Sequence, residues 1–123
     1  MVERFYSWIL FVTWHLRLLH MTRLEQLRKF LEDDPADPFN VYALALEYQK
    51  TDSSIALRLF KQLVLEHPNY VATYYHLGKL YQTLEEKDHA IKIFNAGVER
   101  ARAQHDAKSV QELQNALQEI LFD

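Results

Sequence analysis

Six histidines (His15, His20, His67, His76, His89 and His105), two adjacent carboxylate pairs (Asp33-Asp34 and Glu85-Glu86) and the cations Arg100 and Arg102 are the side chains on which acid–base, metal or phosphate chemistry would draw. Their spacing supplies none of these chemistries. A helix that grips a metal presents two histidines at i and i+4 on one face, and no two histidines here stand four apart. Carboxylates adjacent in sequence diverge on a helix, which suits solvated helix ends. Arg100 and Arg102 fall near the end of a predicted helix, where cations meet the negative end of its dipole. The two glycines, Gly78 and Gly97, both lie inside predicted helices, so no glycine-rich phosphate loop forms, and neither His-Glu-x-x-His nor Gly-x-Ser-x-Gly occurs. With no cysteine, a thiolate nucleophile, a disulfide framework and cysteine-ligated zinc or iron-sulfur sites are excluded. The expectation is a non-enzyme without cofactor or metal.

The elements that position the remaining side chains follow from composition and periodicity. A chain of 123 residues with 49% hydrophobic and 25% charged residues buries one modest core. Two glycines and three prolines are too few to turn the many strands of an all-β sandwich or barrel, which leaves an all-α fold. Fourteen basic against seventeen acidic residues, with no basic run, give no electrostatic reason to expect nucleic acid. The lack of cysteine suits a reducing compartment, and the cytoplasm is the expected location.

Residues 1–20 differ in kind from the rest. Between Phe5 and Leu19 stand eleven large apolar residues and both tryptophans, Trp8 and Trp14. A membrane span needs about 20 predominantly apolar residues, and this stretch is shorter and interrupted by His15 and Arg17. A secretory signal places a basic run before its apolar stretch and small residues after it, whereas Glu3 offsets Arg4 and the exit reads Arg17-Leu18-Leu19-His20. Three readings remain: an extension from a start codon upstream of Met21, a packed or self-associating helix, and membrane attachment through residues 5–19.

From Thr22 onward apolar residues recur at helical spacing, beginning Leu24, Leu27, Phe30, Leu31 and stopping before Pro35. Further helices are predicted over 38–50, where Pro38 suits the first turn, then from the Thr51-Asp52-Ser53-Ser54 cap cluster to 67, and over 70–84, 88–104 and 107–121. The connections of two to five residues are those of antiparallel neighbours in helical hairpins.

Two of these hairpins are copies. Leu44, Ala45 and Tyr48 return 33 residues later as Leu77, Gly78 and Tyr81, and Ala56 and Phe60 return 34 residues later as Ala90 and Phe94. The small residues belong where paired helices approach most closely, and the Leu–Tyr ridge lies along one helical face. The pattern resembles the tetratricopeptide repeat: Tyr74-x-x-Leu77-Gly78-x-x-Tyr81 then Ala90-x-x-x-Phe94, with a looser copy Val41-x-x-Leu44-Ala45-x-x-Tyr48, Ala56-x-x-x-Phe60 and Pro68. The copies depart from the family at Val41 and Ala45 and, in the second, at Gly97 and Arg102. The resemblance implies antiparallel hairpins stacked as a short solenoid over residues 21–123. Its repeats would span about 38–68 and 71–104, the helix before Pro35 standing as half of a degenerate copy. About three units are normally needed for a stable array. The helix at 107–121 is therefore expected to cap the stack, exposing Gln111, Gln114, Gln118 and Glu119 while burying Val110, Leu113, Leu117 and Ile120.

In such a stack the first helix of each hairpin lines the concave side. The residues turned away from the Leu–Tyr ridge are Phe39, Tyr42, Leu46 and Gln49 in one copy, and Ala72, Tyr75, His76, Lys79 and Gln82 in the other. The resemblance implies a non-catalytic adaptor that holds a peptide or protein partner there, anchored on Phe39, Tyr42 and Tyr75 with Lys79 and Gln82 at the edge. Lys79 is the only basic residue in the stripe, so it lacks the Lys, Arg and Asn set with which some family members grip C-terminal carboxylates. The stripe is read either as open groove or as core covered by a flanking helix or by residues 5–19. The alternative functions are a membrane-peripheral scaffold and a homo-oligomer in which stripe meets stripe.

Overall fold

The computed structural model describes residues 2–19 and 21–122. Met1, His20 and Asp123, and the side chains of Val2, Glu3, Phe5, Arg17, Leu18 and Leu19, lie outside the described residues. Seven helices and no strand occupy that range: α1 (Val2–Leu19), α2 (Arg23–Asp33), α3 (Pro38–Gln49), α4 (Ser53–Glu66), α5 (Ala72–Thr83), α6 (Lys87–Ala103) and α7 (Ala107–Leu121).

Side-chain acceptors begin four of them. Thr22 accepts from the Glu25 amide, Asp37 from Phe39, Asp52 from Ser54 and Ile55, and Asp106 from Ser109, each satisfying amides that the first turn leaves without a partner. Pro38 opens α3 at a position where a missing N–H costs nothing. The start of α5 falls two residues later than the periodicity predicts, because the Tyr70 amide is already donating to the His67 carbonyl in the preceding turn, 3.0 Å away.

Each helix packs on its sequence neighbour from α2 to α7, and α7 also packs on α5. These are stacked antiparallel hairpins, α3 with α4 and α5 with α6, flanked by α2 and α7. The core runs along the line of close approach: Ala45, Ala56, Phe60, Leu63, Ala90, Phe94 and Ala101 are fully buried. What occupies the space at Gly78 is the Phe94 ring, since a methyl there would lie 2.6 Å from Phe94 Cδ1. Tyr74, the aromatic that begins the second repeat pattern, is 2% exposed and donates from its hydroxyl to the Pro68 carbonyl at 2.6 Å, tying α5 to the turn before it.

On α7 the expected burial holds for Leu113 and Ile120, with Val110 and Leu117 half-buried. Gln114 is half-buried instead of exposed, α7 being packed on both α5 and α6. Helix α1 takes part in none of these interfaces. Its described side chains are exposed apart from half-buried Val12, with Trp8 63%, Leu10 70% and Phe11 59% exposed. Among the described residues no helix is long and apolar enough to cross a membrane.

Candidate functional site

The predicted stripe converges on Tyr42. Its ring centroid lies 5.5 Å from Tyr70, 5.6 Å from His76, and 6.5 Å from both Phe39 and Phe60. The Tyr70, His76 and Phe60 contacts are edge-on, the arrangement that ring quadrupoles favour. His76 lies almost parallel to Phe60, centroids 6.2 Å apart, and meets Tyr75 edge-on at 5.5 Å. Rings from α3, α4, α5 and the turn before α5 thus form one cluster. Phe39 stands at its margin, 56% exposed.

Three adjoining depressions follow this cluster along α3, α5 and α7. The first, about 480 Å³, lies among Phe39, Tyr42, Leu46, Gln49 and His76, with Arg23 and Lys50 at its rim. The second, about 420 Å³, shares Tyr42 and His76 and continues past Tyr70, Ala72 and Tyr75 to Ser109 and Glu112. The third, about 390 Å³, runs from Tyr75 and Lys79 to Glu112, Asn115 and Glu119. Eight of the nine residues of the predicted stripe are brought together in this way. Gln82 is half-buried, one turn beyond Lys79, and lines none of the three. Helix α1 contributes no lining residue.

Charge is uneven along this face. Near α3, the Glu47 carboxylate is 3.1 Å from Lys50 Nζ, and Arg23 stands at the same rim. At the α7 end Lys79 Nζ is 3.2 Å from Glu119 and 5.8 Å from the Tyr75 ring centroid, while Glu112 forms no ion pair among the described residues. Burial pushes the His76 imidazole below its ordinary pKa, so it is neutral at neutral pH. Burial raises the phenols of Tyr42 and Tyr70, the first further raised by Tyr70 and the second by Asp37, so both stay protonated. No cluster of metal-ligating side chains occurs among the described residues. The face offers aromatic surface, neutral hydrogen-bonding groups and a carboxylate, Glu112, that forms no ion pair among the described residues.

Sequence reasoning missed three lining residues. Tyr70 lies in a turn, off any helical stripe, while Phe60 is core as expected and only backs the cluster from beneath. Glu112 and Asn115 belong to α7, which was read only as a cap. A signal for α7 was present: Leu113 and Leu117 repeat the spacing of Leu77 and Tyr81, as the first helix of a further hairpin would.

Stacked helical hairpins with an aromatic face are the architecture of a helical-repeat module of protein–protein interaction. The comparisons agree. The chain is similar to a tetratricopeptide repeat domain protein from Salinibacter ruber in its solution structure, at 50% identity with a TM-score of 0.68 over 71% of this chain and 89% of that one. It is likewise similar to a crystal structure of the tetratricopeptide repeat domain protein from Salinibacter ruber, at 48% identity and TM-score 0.66 over 68% and 96%. A protein from Bordetella parapertussis shares the fold, at 22% identity and TM-score 0.71 over 82% and 89%. Protein-family models and curated proteins return no match. The chain belongs to the tetratricopeptide repeat family, whose domains are typically non-catalytic.

Proposed function

We propose that the chain is an adaptor that captures a polypeptide segment along the α3–α5–α7 face. Phe39, Tyr42 and Tyr75 serve as aromatic anchors, Leu46 and His76 extend the apolar surface, and Gln49, Lys79 and Gln82 give polar contacts at its edge. The observation that carries this reading is the continuity of the three depressions around exposed Phe39 and half-buried Tyr42 and Tyr75. Exposed aromatic surface rimmed by polar groups is the usual form of a recognition site. Glu112, free of any ion pair among the described residues, favours a ligand that carries a basic residue toward α7. Residues 21–123 form the binding unit, and residues 1–20 stand apart from it. Affinity capture with the full chain, repeated with Tyr42→Ala/Tyr75→Ala, tests the site. Loss of the captured partner with the helical circular dichroism retained supports it, and equal capture refutes it.

A second reading draws on α1. Exposed Tyr6, Trp8, Phe11 and Trp14, on a helix not long and apolar enough to cross a membrane, are the side chains that settle at a lipid–water boundary. On this reading α1 attaches the repeat domain to a bilayer surface. A blue shift of tryptophan emission on adding phosphatidylcholine vesicles supports attachment, and unchanged emission refutes it.

A further inference from the structure

A larger depression, about 750 Å³, opens between α4 and α6 and shares no lining residue with the face described above. These are the second helices of the two hairpins. Its floor is Leu77 and Tyr81 of α5, 1% and 7% exposed, and half-buried Val64 and Ile93 line its walls. Leu65 stands in it with 83% of its surface exposed, the highest among the large hydrophobic side chains in the helices of the repeat stack.

The charges around this apolar cleft are of one sign. Arg58 and Lys61 on α4 and Arg100 on α6 line it, and no carboxylate does. None of the three forms an ion pair among the described residues. Arg100 donates to Asn69 Oδ1 at 3.1 Å, a neutral contact that orients the guanidinium and leaves its charge uncompensated. Asp52, the cap of α4, senses Arg58 without forming an ion pair with it, so Arg58 is compensated in part, whereas Lys61 and Arg100 have no carboxylate partner among the described residues. Three cations and no carboxylate in the lining of one cleft, on a chain of net charge -3, are a local feature and not a reflection of overall composition.

We infer that the α4–α6 cleft is a second docking site, separate from the α3–α5–α7 face, and that its occupant is an acidic amphipathic helix of a partner polypeptide. Apolar side chains at i, i+3 and i+4 of the guest cover Leu65 and reach the floor, and its flanking Asp and Glu side chains meet Arg58, Lys61 and Arg100. A helix is about 10 Å wide and rises 1.5 Å per residue, so four turns match the length of α4. The recessed floor between two helices admits a helix, whereas a bilayer surface reaches only the rim.

The test is selection of peptides of about 16 residues from a random display library on the immobilised full chain. The proposal expects enriched peptides with acidic and apolar residues at helical spacing. It expects Arg58→Glu/Lys61→Glu to weaken their binding by roughly tenfold or more, and Leu65→Ser to weaken it without any change of charge. Lys108→Glu, a charge reversal on exposed α7 outside both sites, leaves it unaltered, and circular dichroism verifies that each variant folds. Failure to enrich acidic peptides, unchanged affinity in Arg58→Glu/Lys61→Glu, or equal loss in Lys108→Glu overturns the proposal. So does charge-sensitive binding to phosphatidylserine vesicles in place of peptides.

Discussion

Gly97 of α6 lies against the Cβ of Tyr74 on α5, so closely that a methyl group at Gly97 would stand 2.6 Å from that carbon and 3.0 Å from Leu113 Cδ1. The departure from alanine at this position of the repeat therefore has a steric cause. A Cβ is fixed by the backbone and cannot rotate away, so Gly97→Ala must separate α6 from α5. Overpacking outweighs the gain in helix propensity, and a net loss of about 1–2 kcal/mol is expected. Gly78→Ala should cost less, because the obstacle is the Phe94 ring, which can tilt, and the first hairpin already pairs Ala45 with the corresponding Phe60. Urea denaturation of the two variants checks this order; a more stable Gly97→Ala would contradict the packing.

Glu85 and His105 close α5 and α6 with φ of 61° and 57°, a left-handed conformation that disfavours side chains. Each ends its helix in the same hydrogen-bond pattern: Glu86 N–H donates to the Tyr81 carbonyl at 2.8 Å and Asp106 N–H to that of Ala101 at 2.9 Å. Glu85→Gly and His105→Gly should each raise stability by about 0.5–1 kcal/mol, the relief of strain exceeding the added freedom of the unfolded chain. Thermal melts of the single variants decide, and a lowered midpoint would contradict the conformational assignment.

Thr73 is wholly buried on α5, and its hydroxyl has no hydrogen-bond partner among the described residues. Valine has nearly the same shape and removes the stranded hydroxyl. Thr73→Val is expected to stabilise the fold by about 1 kcal/mol. Denaturant titration showing a loss instead would mean that the hydroxyl is satisfied in solution.

Burial holds His76 below its ordinary pKa of 6.5, so the folded chain takes up a proton there less readily than the unfolded one. Stability should therefore rise with pH through the imidazole range and decline as pH falls below about 6.5. Asp52 and Asp106, lowered below 3.8 chiefly by hydrogen bonds from Ser54 and Ser109, lose their contributions only at more acid pH. Denaturation midpoints between about pH 5 and pH 7.5 thus separate His76 from these two carboxylates. His76→Phe, which keeps a ring against Phe60, should flatten this part of the profile; an unaltered slope would place the titration elsewhere.

The repeat was legible because the positions that define it are steric. Ala45, Ala56, Ala90 and Gly78 must be small and Phe60 and Phe94 large for two helices to meet, and such requirements survive in residue identity at fixed spacing. The helix of Lys79 and Tyr75 could likewise be assigned a face from its period. Tyr70 could not, since a turn has no period from which to read direction. Glu112 was hidden for another reason: whether α7 is an inert cap or a lining helix depends on its contact with α5, a relation between residues some 35 positions apart. The α4–α6 cleft was missed because Arg58, Lys61 and Arg100 are individually ordinary surface cations and gain meaning only when two helices bring them to one rim.

Recognition along the α3–α5–α7 face is tested most directly by amide chemical-shift mapping of the ¹⁵N-labelled full chain during titration with a captured partner segment. The account predicts shifts concentrated at Phe39, Tyr42, Tyr75, His76 and Glu112, and their disappearance in Tyr42→Ala/Tyr75→Ala. Shifts confined to α1, or to α4 and α6 with that face silent, would contradict it.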